Sequence, residues 1–220
     1  DGFFDQRRIY YGEGGLIEEV WSAYPEDRKT SDELGEFFYN GNGGIKVIPP
    51  ISWIFEPNFL LSYPDKSIHI MRYKDIHERM SLIYPYFQYQ FGNKDVDVLP
   101  VTNGSETFWL MPLLVRLDTS NVPWSANNPM YRLVGYNLID TLNGTTTIII
   151  KGDDFFTNMF VDAYQEHVTK EIPAWLHDQL RFPEEYFSWK VNMYNYYHVT
   201  DVSTFIGARE FFEIPVELSS

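Results

Sequence analysis

Three pairs of neighbouring acidic residues could carry chemistry in this sequence: Asp95 with Asp97, Asp153 with Asp154, and Glu184 with Glu185. Two carboxylates held together can hydrolyse a glycosidic bond or bind calcium. A structural role explains the same pairs. Acidic residues complement the helix dipole where a helix begins, and the first pair alternates with valines, as on the solvent face of a half-buried strand. A carbohydrate-acting hydrolase that uses a carboxylate pair therefore stays an alternative function, and no residue is predicted to be catalytic.

The five histidines are not spaced as metal ligands; they are His69, His77, His167, His177 and His198. No two of them lie four residues apart, and the chain has no cysteine, so the common ligand sets for zinc are missing. We expect His69 to be structural on an alternating strand and His167 on the apolar side of a helix. His198 is expected at a helix C-terminus, where a protonated imidazole suits the dipole. The sequence predicts neither a metal nor a cofactor.

Two asparagines stand in acceptor sequences for N-glycosylation, Asn103 in Asn-Gly-Ser and Asn143 in Asn-Gly-Thr. Both lie on predicted turns, and both are competent acceptors if the domain lies outside the cytoplasm. The alternative is that Asn-Gly serves only as a good turn. The sequence leaves both interpretations open.

Composition excludes several classes of function. The 220 residues carry a formal net charge of −14, which repels phosphate backbones and argues against nucleic-acid binding. The absence of cysteine excludes disulfides and thiol catalysis. Aromatic residues make up 18% of the chain, enough to supply both a core and a binding surface. A chain of this length can bury a core that needs no metal or disulfide to fold.

Residues 1–44 are expected to be irregular and to pack on one domain that spans residues 1–220. This segment contains a polar, acidic stretch at 25–33 and a glycine-rich stretch at 40–44. A phosphate-binding loop is excluded at the glycines, because no Lys-Ser or Lys-Thr follows them and no strand is predicted before them.

Alternating apolar residues and turn signals predict strands at 45–48, 67–73, 95–101, 107–117, 131–142 and 145–151. The last two should form a hairpin closed by Asn143-Gly144 as a two-residue type I′ turn. Asp75 is predicted to cap a helix that ends before Pro85. Further helices are expected after Asp153 or Asp154, after Pro173 and after Pro183. These elements predict an α+β fold, an antiparallel sheet with helices concentrated in the C-terminal third.

An ordered set of short motifs resembles the uncharacterised protein family UPF0182. The motifs are YGE at 11–13, YNGNGGIKV at 39–47, NFLLS at 58–62, YKDIHER at 73–79, IDTLNG at 139–144, IP at 172–173, LRFPEEYF at 180–187 and YYHVTD at 196–201. They occur in the family's order over nearly the whole chain. Members of this family are membrane proteins that resemble one another in several N-terminal transmembrane helices followed by a long soluble region outside the cytoplasm.

The resemblance implies a location and an architecture rather than a reaction. It implies an outward-facing domain on the extracytoplasmic face of the cell membrane, attached through preceding N-terminal helices. Its expected role is an interaction or structural module at the cell envelope, with a protein or an envelope component as partner. Residues 1–11 mix aromatic and basic side chains, which favour a membrane–water boundary, and we expect them at the membrane-proximal end; the residues are Phe3, Phe4, Arg7, Arg8, Tyr10 and Tyr11.

Overall fold

A computed structural model describes residues 8–14, 21–25, 30–32, 35–37, 42–91, 93–119, 129–197 and 201–203. The elements in chain order are β1 Trp21–Pro25, β2 Thr30–Asp32, β3 Gly35–Phe37, β4 Ile45–Val47, α1 Ile51–Phe55, α2 Asn58–Ser62, β5 Ile68–Arg72, α3 Ile76–Ile83, β6 Gln90–Phe91, β7 Lys94–Asp95, β8 Leu99–Thr102, β9 Thr107–Leu117, β10 Met130–Asp140, β11 Thr146–Ile150, α4 Phe155–Ala163, β12 Val168–Thr169, a 3₁₀ helix Ala174–Gln179, and α5 Glu184–Tyr197. The predicted α+β class is confirmed, with most helical residues in the C-terminal part of the chain.

The largest sheet has five strands in the order β12-β11-β10-β9-β8. All neighbours are antiparallel except β11 and β12, which run parallel. The strands predicted at 107–117, 131–142 and 145–151 correspond to β9, β10 and β11. In the stretch predicted as one strand at 95–101, however, Asp95 belongs to β7, which pairs only with β6, and β8 begins at Leu99.

Both faces of the five-stranded sheet are buried. One face packs Met111, Ile139 and Ile148 against Met80 of α3 and Phe160 of α4. The opposite face packs Leu110, Leu138 and Ile149 against Leu176 of the 3₁₀ helix. Further along the same face, Leu114 packs against Tyr186 of α5. Alternate residues of β9 therefore enter different cores, as the pleat of a strand requires.

A second sheet places β5 between β1 and β4, both antiparallel to it. We expected residues 1–44 to be irregular, but three short strands form within that segment, and β1 pairs with β5 along its whole length. The sequence of β1, WSAYP, has no β-branched residue and includes Ala and Pro, which are depleted in strands, although its Trp and Tyr favour one. Its extended form instead depends on pairing with the apolar strand β5, a long-range contact that no local pattern encodes.

The predicted start of helix α3 is confirmed. The Asp75 carboxylate accepts hydrogen bonds from the backbone N–H groups of His77 at 2.8 Å and Glu78 at 3.0 Å. Asp154 caps α4 in the same way, accepting from Phe156 and Thr157. These caps satisfy donors that the first turn of a helix leaves without partners, which explains why both helices begin where the sequence indicates.

The predicted type I′ turn at Asn143-Gly144 is wrong. Gly144 has a positive φ of 65°, but the φ of Asn143 is not positive, and a type I′ turn requires both. The Asp140 N–H donates to the Thr145 carbonyl at 2.9 Å, which leaves a four-residue loop at 141–144. The Asp140 carboxylate accepts from the N–H groups of Leu142 at 2.7 Å and Asn143 at 2.9 Å, and these bonds favour the wider loop.

Residues 8–14 carry no helix or regular strand, and they pack on the rest of the fold. Tyr10 and Tyr11 are buried, with 8% and 0% of their surface exposed. Both donate their backbone N–H to the Thr141 carbonyl. These two tyrosines are therefore core residues and do not contribute to a membrane–water boundary, contrary to the expectation for residues 1–11. Phe3, Phe4 and Arg7 lie outside the described residues.

Candidate interaction surface

The short helix α1 turns an apolar face to solvent. Ile51, Ile54 and Phe55 are 52%, 82% and 60% exposed, and their i, i+3, i+4 spacing places them on one side of the helix. The residue that α1 buries completely is Ser52. A surface helix normally buries its apolar side and exposes its polar side. Helix α1 reverses that arrangement.

The exposed apolar residues continue on both sides of α1. They form what we call the α1–α2 surface: Ile45, Ile48, Ile51, Ile54, Phe55, Leu60 and Leu61. Leu61 on α2 is 84% exposed, and α2 contacts α1. Isolated exposed apolar residues are ordinary, but a typical monomer shows no apolar patch larger than about 300–600 Å². Seven large apolar side chains are exposed within residues 45–61, which marks this segment as a candidate contact site.

A separate set of residues holds this segment in place. Phe59 of α2 is buried with Val47, Ile68 and Ile70 of the second sheet, and Trp53 and Tyr63 pack at the edge of this cluster. The backbone also closes both short helices, with Tyr63 N–H donating to the Phe59 carbonyl at 2.8 Å. The inward-facing residues therefore anchor the segment, and the side chains of the α1–α2 surface are free to contact something else.

The α1–α2 surface has almost no charge. Between residues 45 and 63 the charged residues are one lysine, Lys46, and one glutamate, Glu56, which cancel, whereas the whole chain carries −14. A partner that approaches this surface meets apolar side chains. It is not repelled there by the hydrated acidic side chains that the rest of the chain carries.

A second feature is a polar cavity of about 500 Å³ between α3 and the β6–β7 hairpin. Its lining includes Asp75, His77, Glu78, Gln90 and Asp95. Most of these groups already have partners: Asp75 caps α3, the His77 Nε2 lies 2.9 Å from the Val96 carbonyl, and Gln90 donates to Asp95 at 2.9 Å. The cavity walls are thus held together by their own hydrogen bonds.

Beside this cavity, Lys94 joins two carboxylates. Its Nζ lies 3.2 Å from Asp97 Oδ1 and 3.0 Å from Glu185 Oε1. The Glu185 side chain, in the first turn of α5, is 16% exposed, and its second oxygen is buried. The hydrogen bond with Glu185 lowers the pKa of Asp97, whereas burial and the same hydrogen bond raise the pKa of Glu185. The nearby Asp97 carboxylate therefore makes Glu185 harder to ionise, and the Lys94 ammonium offsets part of this effect.

This pair does not match the geometry of a glycosidase. Glycosidases hold their two carboxyls about 5–9.5 Å apart, with the sugar between them, whereas the Lys94 ammonium binds both Asp97 and Glu185 and occupies the space between them. The stacked rings of Tyr186 and Trp189 lie nearby on α5 with centroids 5.5 Å apart, but Tyr186 is a buried core residue. Asp97 and Glu185 therefore link α5 to the loop after β7.

The other acidic pair has structural partners as well. Asp154 caps α4 and forms an ion pair with Arg132, and Asp153 pairs with Lys170 at 3.1 Å. Within the residues that the structure describes, no three His, Asp or Glu side chains come together as a metal site requires.

The histidines lie in unrelated places. His69 is buried in β5, His77 lies at the polar cavity, and His177 is exposed on the 3₁₀ helix. His167 was expected on the apolar side of a helix, but α4 ends at Ala163 and His167 is exposed beyond it. His198 lies outside the described residues.

The two glycosylation acceptors differ in accessibility. Asn103 is exposed at the β8–β9 turn, where its Oδ1 accepts from the Ser105 and Glu106 N–H groups. Asn143 is half-buried; its Oδ1 accepts from the Asn42 N–H at 2.6 Å, and its Nδ2 donates to Asp140 at 3.2 Å. Both asparagines therefore serve as turn residues, and modification stays a prediction.

Comparison with known proteins settles the family. The family model described as uncharacterised protein family UPF0182 matches residues 3–220. The chain belongs to UPF0182. The predicted resemblance is thereby confirmed over nearly the whole sequence.

Several curated UPF0182 proteins are similar to this chain. One from Clostridium acetobutylicum is 28% identical over 94% of this chain and 24% of its own length. One from Sulfurovum is 26% identical over 98% of this chain and 25% of its own length. One from Methanospirillum hungatei is 25% identical over 97% of this chain and 25% of its own length. The UPF0182 chain thus spans about a quarter of the length of these relatives. No solved structure matches it.

The sequence pattern did not reveal the α1–α2 surface of this UPF0182 chain, although a signal is present. Pro50 and Pro57 directly precede the two helices, a position where proline favours helix initiation. The i, i+3, i+4 spacing of Ile51, Ile54 and Phe55 then indicates an apolar helix face. Such a face ordinarily predicts burial, so only the structure shows that it points to solvent.

In the described part of the chain, none of the helices combines the length and the apolar character that crossing a bilayer requires.

Proposed function

We propose that this UPF0182 domain is an outward-facing interaction or structural module of a membrane protein, on the extracytoplasmic side of the cell envelope. The observation that carries the proposal is the α1–α2 surface, on which Ile54, Phe55 and Leu61 stand 60–84% exposed. An apolar surface of this size is typical of a site that another molecule covers.

The energetics of burial support an interaction. Fully burying one large apolar side chain contributes about 1.5–3 kcal/mol. Association costs an estimated 4–15 kcal/mol in lost translational and rotational freedom. The side chains of Ile54, Phe55 and Leu61 together reach the lower part of that range, and the other four members of the surface add to it. The surface is therefore sufficient for reversible binding without any covalent or metal link.

The location rests on kinship. Family members resemble one another in having transmembrane helices before a soluble region, and the matched relatives are about four times longer than this chain, which covers 24% and 25% of two of them. A chain of net charge −14 stays soluble at such a position and keeps its acidic faces in water.

Location and interaction are tested separately in the native, full-length protein. A C-terminal tag should be removed when intact cells are treated with protease; a tag protected until the membrane is permeabilised would place the domain in the cytoplasm. The interaction is tested with a photo-crosslinking residue in place of Ile54. The control carries the same residue in place of Phe155, which is 78% exposed on α4. Adducts from position 54 that position 155 does not give would support the proposal, and equal labelling at both would contradict it.

A further inference from the structure

We infer that the α1–α2 surface docks on a lipid surface, with Ile54, Phe55 and Leu61 entering the region between the headgroups and the acyl chains. This inference rests on the proposed function, because it names the partner of the same surface. It adds a contact between the domain and the bilayer that is independent of any membrane-spanning segment.

The first argument is the degree of exposure. Ile54 and Leu61 are 82% and 84% exposed, and each is on a helix of only five residues. A folded side chain with so few neighbours projects from the surface. A rigid partner buries such projections only if it carries matching grooves, and a second copy in a two-fold dimer would present the same projections. Acyl chains deform around a projection, so a lipid surface can cover both residues without a shaped groove.

The second argument is charge. Lys46 and Glu56 cancel within residues 45–63, so this segment can approach a membrane without a local repulsion. The remainder of the chain carries the whole net charge of −14 and is repelled by anionic headgroups. This combination predicts that the chain binds a zwitterionic bilayer and binds an anionic bilayer more weakly. Added salt should strengthen binding to the anionic bilayer, because it screens the repulsion.

The third argument is the arrangement of aromatic residues. Trp53 and Tyr63 are half-buried at the base of the α1–α2 segment, and Phe55 is exposed on its outer side. Aromatic side chains are enriched at the boundary between headgroups and hydrocarbon. Trp53 and Tyr63 are only partly buried in the segment that carries Ile54 and Leu61, so they can contribute to such a boundary.

The test uses flotation of the purified chain with vesicles of phosphatidylcholine alone and of phosphatidylcholine mixed with phosphatidylglycerol. The wild type should float with the zwitterionic vesicles. Ile54→Glu and Leu61→Glu should each lower the partition coefficient at least about tenfold, since a charge replaces an inserted apolar side chain. Phe155→Glu, which alters a side chain of similar exposure on α4, should leave it unchanged. Unfolding curves of all variants should coincide with that of the wild type, because these residues lie outside the core.

Three outcomes would overturn the inference: no flotation of the wild type with either vesicle, equal loss in the Phe155 variant, or stronger binding to the anionic vesicles at low salt. Sedimentation of the chain without vesicles tests the alternative, a dimer through the α1–α2 surface. If the wild type forms a dimer that Ile54→Glu abolishes, and does not float with vesicles, the surface binds a second copy of the chain. If position 54 crosslinks to a protein partner in cells while the vesicles bind nothing, the proposed function stands and the lipid inference falls.

Discussion

Gly144 lies directly against the ring of Tyr11, so close that a Cβ at this glycine would be 2.7 Å from Cε1 of the tyrosine. Tyr11 is fully buried, and Arg79 covers its ring with the guanidinium carbon 5.0 Å from the ring centroid. The Arg79 Nε also donates to the Gly144 carbonyl at 3.0 Å. The loop between β10 and β11 is therefore fastened to the N-terminal segment through this contact, and not through the chemistry of the turn alone.

Gly144→Ala should lower the free energy of unfolding by about 3 kcal/mol. A residue with a side chain is strained by about 1–2 kcal/mol at a left-handed φ of 65°, and the clash with the buried ring adds about 1–3 kcal/mol. Chemical denaturation measures the change. Gly104→Ala is the matched control, because Gly104 also has a positive φ but a Cβ there meets nothing within 4 Å. Equal losses at the two glycines would show that the contact with Tyr11 contributes nothing.

The sequence predicted what local chemistry decides. Asp75 and Asp154 identified helix starts because their side chains bond to N–H groups two and three residues later. The type of turn at Asn143 was wrong because the Asp140 carboxylate, outside the Asn-Gly pair, holds the loop wider. Strand β1 was missed because pairing with β5 rather than its own composition extends it.

Glu185→Gln should make stability less dependent on pH above the unfolded pKa of glutamate, about 4.3. The raised pKa of Glu185 means that its contribution is fully present below the unfolded value, about 4.3, and is lost as pH rises through the folded value. The lowered pKa of Asp97 acts oppositely, since its contribution is lost only as pH falls through its folded value. Glutamine does not ionise, so the variant lacks the contribution of Glu185 to the pH dependence at every pH.

The measurement is the melting temperature of wild type and variant across this pH range. The melting temperature of the variant relative to the wild type should rise with pH. Glu184→Gln is the control, because it removes the same charge from the first turn of α5 at an exposed position. A constant difference between Glu185→Gln and wild type would show that folding does not raise the pKa of Glu185. Lys94 and His77, which also act on Asp97, remain unchanged in both variants.

The two N-glycosylation acceptors should react unequally in the folded protein. Asn143 is half-buried, whereas Asn103 is exposed. Both amides donate to a carboxylate, Asn103 to Glu106 at 2.9 Å and Asn143 to Asp140 at 3.2 Å, so the difference between them is the burial of Asn143 and the bond that it accepts from the distant Asn42 N–H. Asn103 should therefore be modified faster, because Asn143 must first be freed from the fold. Site occupancy measured by mass spectrometry after treatment with an oligosaccharyltransferase checks this. The difference should vanish for the unfolded chain; an Asn143 modified as fast as Asn103 in the folded protein would contradict the prediction.

The candidate site was less predictable than the fold. The acidic pairs stood out in the sequence because they are chemically versatile, yet Asp154 caps a helix and Glu185 forms an ion pair with Lys94. The α1–α2 surface consists of Ile, Leu and Phe, residue types that ordinarily predict a core. Their exposure depends on how Phe59 anchors the α1–α2 segment to the second sheet. That is a tertiary contact, which the local sequence does not indicate.

Asn137→Leu should stabilise the protein by about 1 kcal/mol. Asn137 in β10 is fully buried, its Nδ2 points at the Met80 sulfur, and its Oδ1 accepts no hydrogen bond within the described structure. A buried acceptor without a donor costs about 1–3 kcal/mol, and leucine has the same branching without that cost, although its larger methyl groups offset part of the gain. Thr157→Val provides the contrast: Thr157 is equally buried, but its hydroxyl donates to the Asp154 carbonyl at 2.8 Å, so its loss should destabilise. Urea denaturation of the two variants should therefore give changes of opposite sign, and destabilisation by Asn137→Leu would mean that the amide oxygen has a partner in solution.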